Sequence, residues 1–338
     1  MFIRKNVDKK NFRAFIVSEI AQGVFQSRVG IRGIESLPAG DVLIRVRYSS
    51  LNYKDALSAR GHKGVTKRYP HTPGIDAAGE VVCSGDNRFA EGTRVIVTGF
   101  DLGMNTSGGF GEYIRVPSQW VVKLPDGMAV RESMVYGTAG MTAGLSLMKL
   151  ERNGLTPNSG DILVTGASGG VGCMAVALLA KRGYRVIAAT GKPEQSGFLH
   201  SIGAIEVIDR KELEQMPVRA MLRERWAGVI DSVGGRILEA AIRATKREGS
   251  VTCCGLVASH DLKMEIYPFI LRGINVLGIS ANQTPIAVKE WIWHQFAGQW
   301  KCNFLDSIGK ECSLEQLEPC IDGMMRGKSI GRTVVKVS

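Results

Sequence analysis

No apolar run in this chain of 338 residues approaches the roughly 20 that a membrane-crossing helix needs. The opening segment, Met1–Lys10, lacks an apolar core and a small-residue cleavage site, so secretion is not expected. There is no C-x-x-C pair, which leaves a structural zinc site of the usual spacing without support. The seven cysteines are odd in number and scattered: Cys83, Cys173, the adjacent Cys253 and Cys254, and Cys302, Cys312 and Cys320. Thiols used this way point to a reducing, cytoplasmic compartment. Blocks of basic residues interleaved with aromatics are missing too, so nucleic acid is not an expected partner. What remains is a dispersed excess of 43 Lys+Arg over 32 Asp+Glu, a net charge of +11. Most of it reads as ordinary surface; attraction to polyanionic small molecules is the functional alternative.

A composition of 44% hydrophobic and 22% charged residues fits a globular protein, and the length implies two domains. Residues 1–132 read as mostly β, with alternating patterns at Asp41–Tyr48, Arg94–Thr98 and Tyr113–Val116. Residues 133–282 alternate helices and strands. Met134–Leu150 and Met174–Arg182 read as helices; the strands are Ile162–Thr165, Arg185–Thr190, Glu206–Ile208, Gly228–Asp231, Val251–Cys254 and Val276–Ile279. That βα alternation implies an α/β fold with a doubly wound parallel sheet. Residues 283–338 hold an aromatic-rich helix, Val288–Trp300, and a closing strand, Thr333–Val337, expected to return to the N-terminal domain.

The most specific motif is Val164–Gly172, Val-Thr-Gly-Ala-Ser-Gly-Gly-Val-Gly, set between an apolar strand and a helix of small residues. Glycines there let the backbone approach a pyrophosphate, while the helix N-terminus offers free amides and partial positive charge. In NAD-selective sheets a carboxylate ends the next strand. Here that strand ends Ala188-Ala189-Thr190-Gly191-Lys192, and Arg210 follows the third strand. A hydroxyl, two cations and no acid favour the 2′-phosphate of NADPH. The alternative is that Lys192 is only a solvated turn residue.

Short-chain dehydrogenases are set aside, because the loop lies mid-chain and no downstream tyrosine has a lysine four residues later. The chain resembles the medium-chain dehydrogenase/reductase superfamily along essentially its whole length. The likeness is carried by Ser49-Ser50-Leu51-Asn52-Tyr53-Lys54-Asp55-Ala56-Leu57, Pro73–Gly79, Gly137–Ala143, Thr165–Gly172 and Pro268–Gly273. Together these look like the zinc-independent quinone oxidoreductases of the YhdH/YhfP type, a group that includes acrylyl-CoA reductases. The resemblance implies a GroES-like catalytic domain beside a Rossmann NADP-binding domain.

Zinc-dependent members carry a Cys ligand where Asn52–Asp55 stands, and a Gly-His-Glu segment where Gly74-Ile75-Asp76 stands. Neither ligand is present, so no metal is expected. His62 and His71 lack Cys or Glu partners and read as surface residues. The resemblance places Asn52 as a polar donor, Tyr53 as cofactor contact and possible donor, and Asp55 as an orienting carboxylate. Asn52 and Asp55 as mere helix caps is the plain alternative. It further implies cofactor contacts at Ser168, Gly169, Gly170, Val171, Thr190, Gly191, Lys192 and Arg210, with Leu256, Ile270 and the backbone of Ala281. Homodimer pairing through Asn275–Ile279 is implied as well.

These expectations converge on an NADPH-dependent reductase of a quinone, an enone or an acyl-CoA such as acryloyl-CoA. Lys63, Lys67 and Arg68 are candidates for a basic rim that would hold CoA phosphates. Cys253 and Cys254 read as buried strand residues, and Trp291, Trp293 and Trp300 as core or interface. One rival is a non-enzymatic NADPH-binding protein, which would not need Asn52, Tyr53 and Asp55. The other is a serine hydrolase: Gly166-Ala167-Ser168-Gly169-Gly170 fits G-x-S-x-G, with Asp231 and His260 following in triad order.

Overall fold

The computed structural model describes residues 11–338; Met1–Lys10, on which the expectation against secretion rests, lies outside the described residues. The chain divides into two compact units. One holds residues 11–138, 282–297 and 305–338, the other residues 139–281 and 298–304.

The first unit opens with an antiparallel hairpin of β1 (Asn11–Ala21) and β2 (Val24–Gly33). β3 (Val42–Leu51) does not alternate as expected: Val42, Leu43 and Ile44 are all buried, Arg45 is exposed, and the strand runs on through the buried Ser49-Ser50-Leu51 because core packs on both of its faces. The helix α1 (Tyr53–Ala59) follows at once. β4 (Asp76–Ser84), β5 (Arg94–Thr98), β6 (Tyr113–Val116) and β7 (Val121–Lys123) continue the sheet.

The helix α2 (Val130–Arg152) is longer than Met134–Leu150 and is broken at Gly137, where φ is 48° and ψ is −154°. Only glycine adopts that conformation without strain.

The second unit begins with β8 (Ile162–Thr165), α3 (Gly170–Lys181), β9 (Val186–Thr190), α4 (Ser196–Ser201) and β10 (Glu206–Asp209). It continues with α5 (Arg210–Glu214), β11 (Trp226–Asp231), α6 (Gly235–Arg243), β12 (Thr245–Cys253), α7 (Tyr267–Arg272) and β13 (Asn275–Gly278). These strands form one parallel sheet in the order β10-β9-β8-β11-β12-β13. The order reverses between β8 and β11, the switch point at which doubly wound sheets bind ligands.

α3 begins at Gly170 and not at Met174, because the glycines lie inside its first turn. A Cβ on Gly172 would sit 2.2 Å from the Gly166 carbonyl oxygen, so only glycine lets the helix close on the strand. Cys253 and Cys254 are half-buried, not buried as expected, because Cys253 is the last residue of β12 and Cys254 follows it, so neither fills the middle of the strand.

The remaining elements are α8 (Ile286–Ala297), α9 (Leu305–Ile308), β14 (Gly309–Ser313), α10 (Leu317–Met325) and β15 (Arg332–Lys336). β15 pairs antiparallel with β3, and β14 lies parallel to β15. The first unit thus has a seven-stranded sheet, β14-β15-β3-β4-β5-β7, with β6 also pairing to β3. Helical spacing on α8 buries Lys289, Ile292, Trp293 and Phe296. Trp300 is buried as well, whereas Trp291 is 43% exposed because residues two apart on a helix face different ways.

Candidate active site

In the first unit the polar residues converge on the start of α1. Asn52 and Asp55 form a capping box there, so the capping role that both residue types suit is real. It does not exhaust them. The buried Asp55 carboxylate accepts from the amides of Asn52 (2.8 Å), Gly74 (3.1 Å) and Ile75 (2.8 Å), tying the helix start to the segment before β4. Burial, reinforced by the neighbouring Asp76, pushes Asp55 up to about 7.

The Asn52 side chain turns toward β4. Its Nδ2 donates to Asp76 Oδ2 (2.8 Å) and to the Ser50 carbonyl (3.2 Å), and its Oδ1 accepts from Arg332 Nη1 (3.3 Å). Asp76 is fully buried and also accepts from Ser50 Oγ (2.5 Å), the Thr138 amide (2.9 Å) and Thr138 Oγ1 (2.5 Å). The charge of Asp76 is balanced by Arg332, whose Nη2 lies 3.9 Å away. Arg332 is buried and donates to the carbonyls of Val135 (3.1 Å) and Leu51 (3.2 Å).

The break in α2 belongs to this cluster. A Cβ on Gly137 would lie 2.5 Å from Ser50 Oγ and 2.6 Å from Asp76 Oδ2. Tyr53 stands apart: it is 46% exposed, and no hydrogen bond holds its hydroxyl among the described residues. Lys54 is exposed.

Sequence reasoning missed Asp76 and Arg332 as site residues. Arg332 opens the closing strand Arg-Thr-Val-Val-Lys and is buried there, whereas Lys336 at its other end is exposed; the sequence offered no signal to tell the two apart. Lys289 was missed too. It is fully buried, donates to the carbonyls of Thr98 and Asn282, and lies 3.7 Å from the Phe100 ring centroid. Burial pushes it down to about 8.

His62 is exposed as expected, but His71 is not a surface residue. Its imidazole is buried, with Nε2 2.9 Å from the Gly103 carbonyl, because the backbone of His71 pairs with Val17 and draws the ring inward. Among the described residues no cluster of His, Cys, Asp and Glu could hold a metal ion.

In the second unit, the glycine loop joins β8 to α3 and presents the free amides of that helix. Ser168 Oγ is 2.9 Å from Thr190 Oγ1, and Thr190 Oγ1 accepts from the Lys192 amide (3.1 Å). Thr190 lies opposite Asp209 in the β9–β10 ladder, which brings Arg210 alongside. The Arg210 side chain covers Gly191, where a Cβ would fall 2.8 Å from its Cδ and Nε. Ser168, Thr190, Gly191, Lys192 and Arg210 are therefore one group, with no carboxylate at the end of β9. Partial burial lowers the pKa of Lys192, the cost of holding an ammonium in a recess. Gly169, Gly170 and Val171 sit at the helix start; Leu256 and Ile270 are exposed and Ala281 is half-buried beyond β13.

The hydrolase triad is not assembled. Asp231 is committed to Thr165 Oγ1 (2.6 Å) and to the amides of Val233 and Gly234, while His260 is exposed beside Asp261. Lys63 is also committed: it pairs with Glu19 at 3.1 Å and covers the rings of Phe25 and Tyr69. Lys67 and Arg68 remain exposed.

Comparison with known proteins gives two family matches: an alcohol dehydrogenase GroES-like domain over residues 38–126 and a zinc-binding dehydrogenase domain over residues 170–296. The acrylyl-CoA reductase AcuI of Ruegeria pomeroyi is 39% identical over 97% of this chain and 99% of its own. YhfP of Bacillus subtilis, provisionally named a quinone oxidoreductase, is 42% identical over 90% of this chain and 92% of its own. Among solved structures, Escherichia coli YhdH with bound NADPH superposes with a TM-score of 0.93 at 38% identity, covering 96% of this chain and 100% of that one.

Proposed function

The chain belongs to the medium-chain dehydrogenase/reductase family, of the quinone oxidoreductase type, and on that premise we propose that it reduces the activated double bond of an acyl-CoA ester, acryloyl-CoA foremost. It is an NADPH-dependent oxidoreductase. The observation that carries the substrate reading is the donor set around Asn52. It holds carboxamide, guanidinium, hydroxyl and carboxylate groups but no thiolate or imidazole, and its donors already serve Asp76 and backbone carbonyls, so it fixes the start of α1 and leaves the exposed Tyr53 hydroxyl to meet charge on a substrate oxygen. Conjugate reduction suits such a site, since it develops enolate charge at a distance from the carbon that receives hydride.

The residues of the second unit fit NADPH. The helix N-terminus takes the pyrophosphate, and Thr190, Lys192 and Arg210 take the 2′-phosphate. When bound, that cofactor supplies the hydride. Tyr53 is the candidate donor with an unengaged hydroxyl, while Asp55, Asp76 and Arg332 hold Asn52 in one orientation. Lys67 and Arg68 are the exposed cations suited to CoA phosphates.

The protein acts as a cytoplasmic homodimer in this reading. Its seven free thiols suit a reducing compartment. β13 is a sheet edge with Val276 exposed on it and Ile270 and Leu271 exposed on α7, an apolar surface suited to pairing with a second copy. The substrate reading is tested by NADPH oxidation with acryloyl-CoA, 1,4-benzoquinone and a simple enone. A preference for acryloyl-CoA of about 100-fold or more in kcat/KM is expected, more than an apolar pocket alone provides. Equal rates would defeat it.

A further inference from the structure

Each of the two cations assigned to the 2′-phosphate has an acid near it. Arg210 opens α5 and Glu214 closes it, one helical turn apart, and Arg210 Nε lies 3.5 Å from Glu214 Oε1. Both side chains are exposed. With the cation N-terminal to the acid, this is the weaker order for such a pair, so a stronger anion can displace the carboxylate. Glu194 lies two residues beyond Lys192, and its charge favours the protonated lysine against the burial that disfavours it.

The position of the Arg210–Glu214 pair is fixed from three sides. The Asp209 carboxylate accepts from the Lys211 amide (2.9 Å) and caps the start of α5. Arg236 Nη2 donates to the carbonyls of Glu214 (3.4 Å) and Met216 (3.2 Å), which holds the other end. The β9–β10 ladder sets Asp209 opposite Thr190, and the Arg210 side chain then crosses Gly191, where a Cβ would lie 2.8 Å from Cδ and Nε and 3.0 Å from Cζ of the arginine. Glu214 is thus held against the guanidinium that covers Gly191, beside the residue whose hydroxyl meets Ser168.

We propose that Glu214 is a specificity-determining residue, which restrains the preference for NADPH over NADH by competing with the 2′-phosphate for Arg210. The proposal rests on the reading of Thr190, Lys192 and Arg210 as the 2′-phosphate site given under the proposed function. A 2′-phosphate brings up to about two negative charges to the guanidinium. Arg210 meets them by leaving Glu214 or by sharing itself between two anions, and either course weakens the contact. The 2′-hydroxyl of NADH carries no charge and leaves the ion pair undisturbed. Because the pair is exposed, water and salt screen it, and the restraint amounts to about two- to fivefold.

Glu214→Gln tests this, since it keeps the side-chain length and an oxygen for Nε and removes only the charge. At low ionic strength kcat/KM for NADPH is expected to rise about two- to fivefold, with that for NADH unchanged. Calorimetric titration with adenosine 2′,5′-bisphosphate gives a readout free of any acceptor. Its affinity should rise by the same factor, that of adenosine 5′-monophosphate should not, and high salt should shrink the gain. In an Arg210→Ala background the gain from Glu214→Gln should largely disappear. Unchanged affinity for the bisphosphate, an equal gain for the monophosphate, or a gain of full size without Arg210 would overturn the proposal. A bisphosphate affinity indifferent to both Lys192→Ala and Arg210→Ala would strike the 2′-phosphate reading and the proposal with it. Dependence on Arg210 without any gain from Glu214→Gln would strike the proposal alone.

Discussion

The carboxamide of Asn52 donates to the carboxylate of Asp76 over 2.8 Å, joining residues 24 positions apart. Neither side chain is set by its own element alone. Asn52 stands at the mouth of α1 and Asp76 at the start of β4, and the buried guanidinium of Arg332 reaches the amide oxygen of one and balances the charge of the other.

Replacing Asn52 by alanine is expected to lower kcat by more than about tenfold, the usual order for removing a positioned polar group at a reaction centre. NADPH affinity should stay near that of the unaltered protein, because the phosphate-side residues belong to the second unit. Steady-state kinetics with a fluorescence titration of NADPH separates the two. Unchanged kcat would remove Asn52 from the mechanism.

Arg332→Met leaves the Asp76 carboxylate buried without its counter-charge. Breaking a buried pair this way costs about 3–5 kcal/mol. Adding Asp76→Asn should recover part of that loss, measured by urea unfolding of the single and double variants. Simple additivity would mean that the two residues are not energetically coupled.

Stability should respond to pH through Asp55. Its folded pKa, about 7, is raised above the ordinary carboxylate value of 3.8, so the folded state holds the proton more tightly than the unfolded chain. The stabilising contribution is fully present below pH 3.8 and is lost as pH rises toward and through 7. Unfolding free energy measured from pH 5 to 8 should therefore fall across that window, and Asp55→Asn should flatten the slope. A slope unaltered in the variant would assign it to another group.

Cofactor choice should depend on Lys192 and Arg210. Replacing both by alanine is expected to cut the kcat/KM preference for NADPH over NADH by about tenfold or more, since each charge-assisted contact to phosphate contributes on the order of 1.5–3 kcal/mol. A ratio unchanged by the double variant would leave the selection to Thr190 and the backbone.

Self-association should fail when the β13 edge is charged. Val276→Lys, placed on the exposed edge strand, is expected to shift the protein from dimer to monomer in sedimentation velocity with its thermal midpoint little altered. A dimer that persists would locate the contact elsewhere.

The parallel sheet was legible because its central strands are buried on both faces and read as short apolar runs between helices; Ile162–Thr165 is one such run, buried at every position. Boundaries were less legible. Glycine loses more freedom than other residues in a helix, so the sequence suggests a late start for α3, yet close contact between Gly172 and Gly166 draws the helix back to Gly170. His71 looked like a surface residue for want of metal-ligand partners, and only its backbone pairing with Val17 turned it inward.

What the sequence determined by itself was local: a glycine-rich strand-to-helix turn, a second strand without its acid, and Asn52, Tyr53 and Asp55 at the head of a helix. These are fixed by backbone freedom, by charge and by spacing within a few residues. Tertiary structure alone decided which distant residues complete them. Asp76 reaches Asn52 because β4 pairs with β3 on one side, and Arg332 because β15 pairs with β3 on the other, a contact between residues 280 positions apart. Burial then gives these groups their chemistry, since a carboxylate or a guanidinium removed from water is governed by the neighbours that the fold supplies.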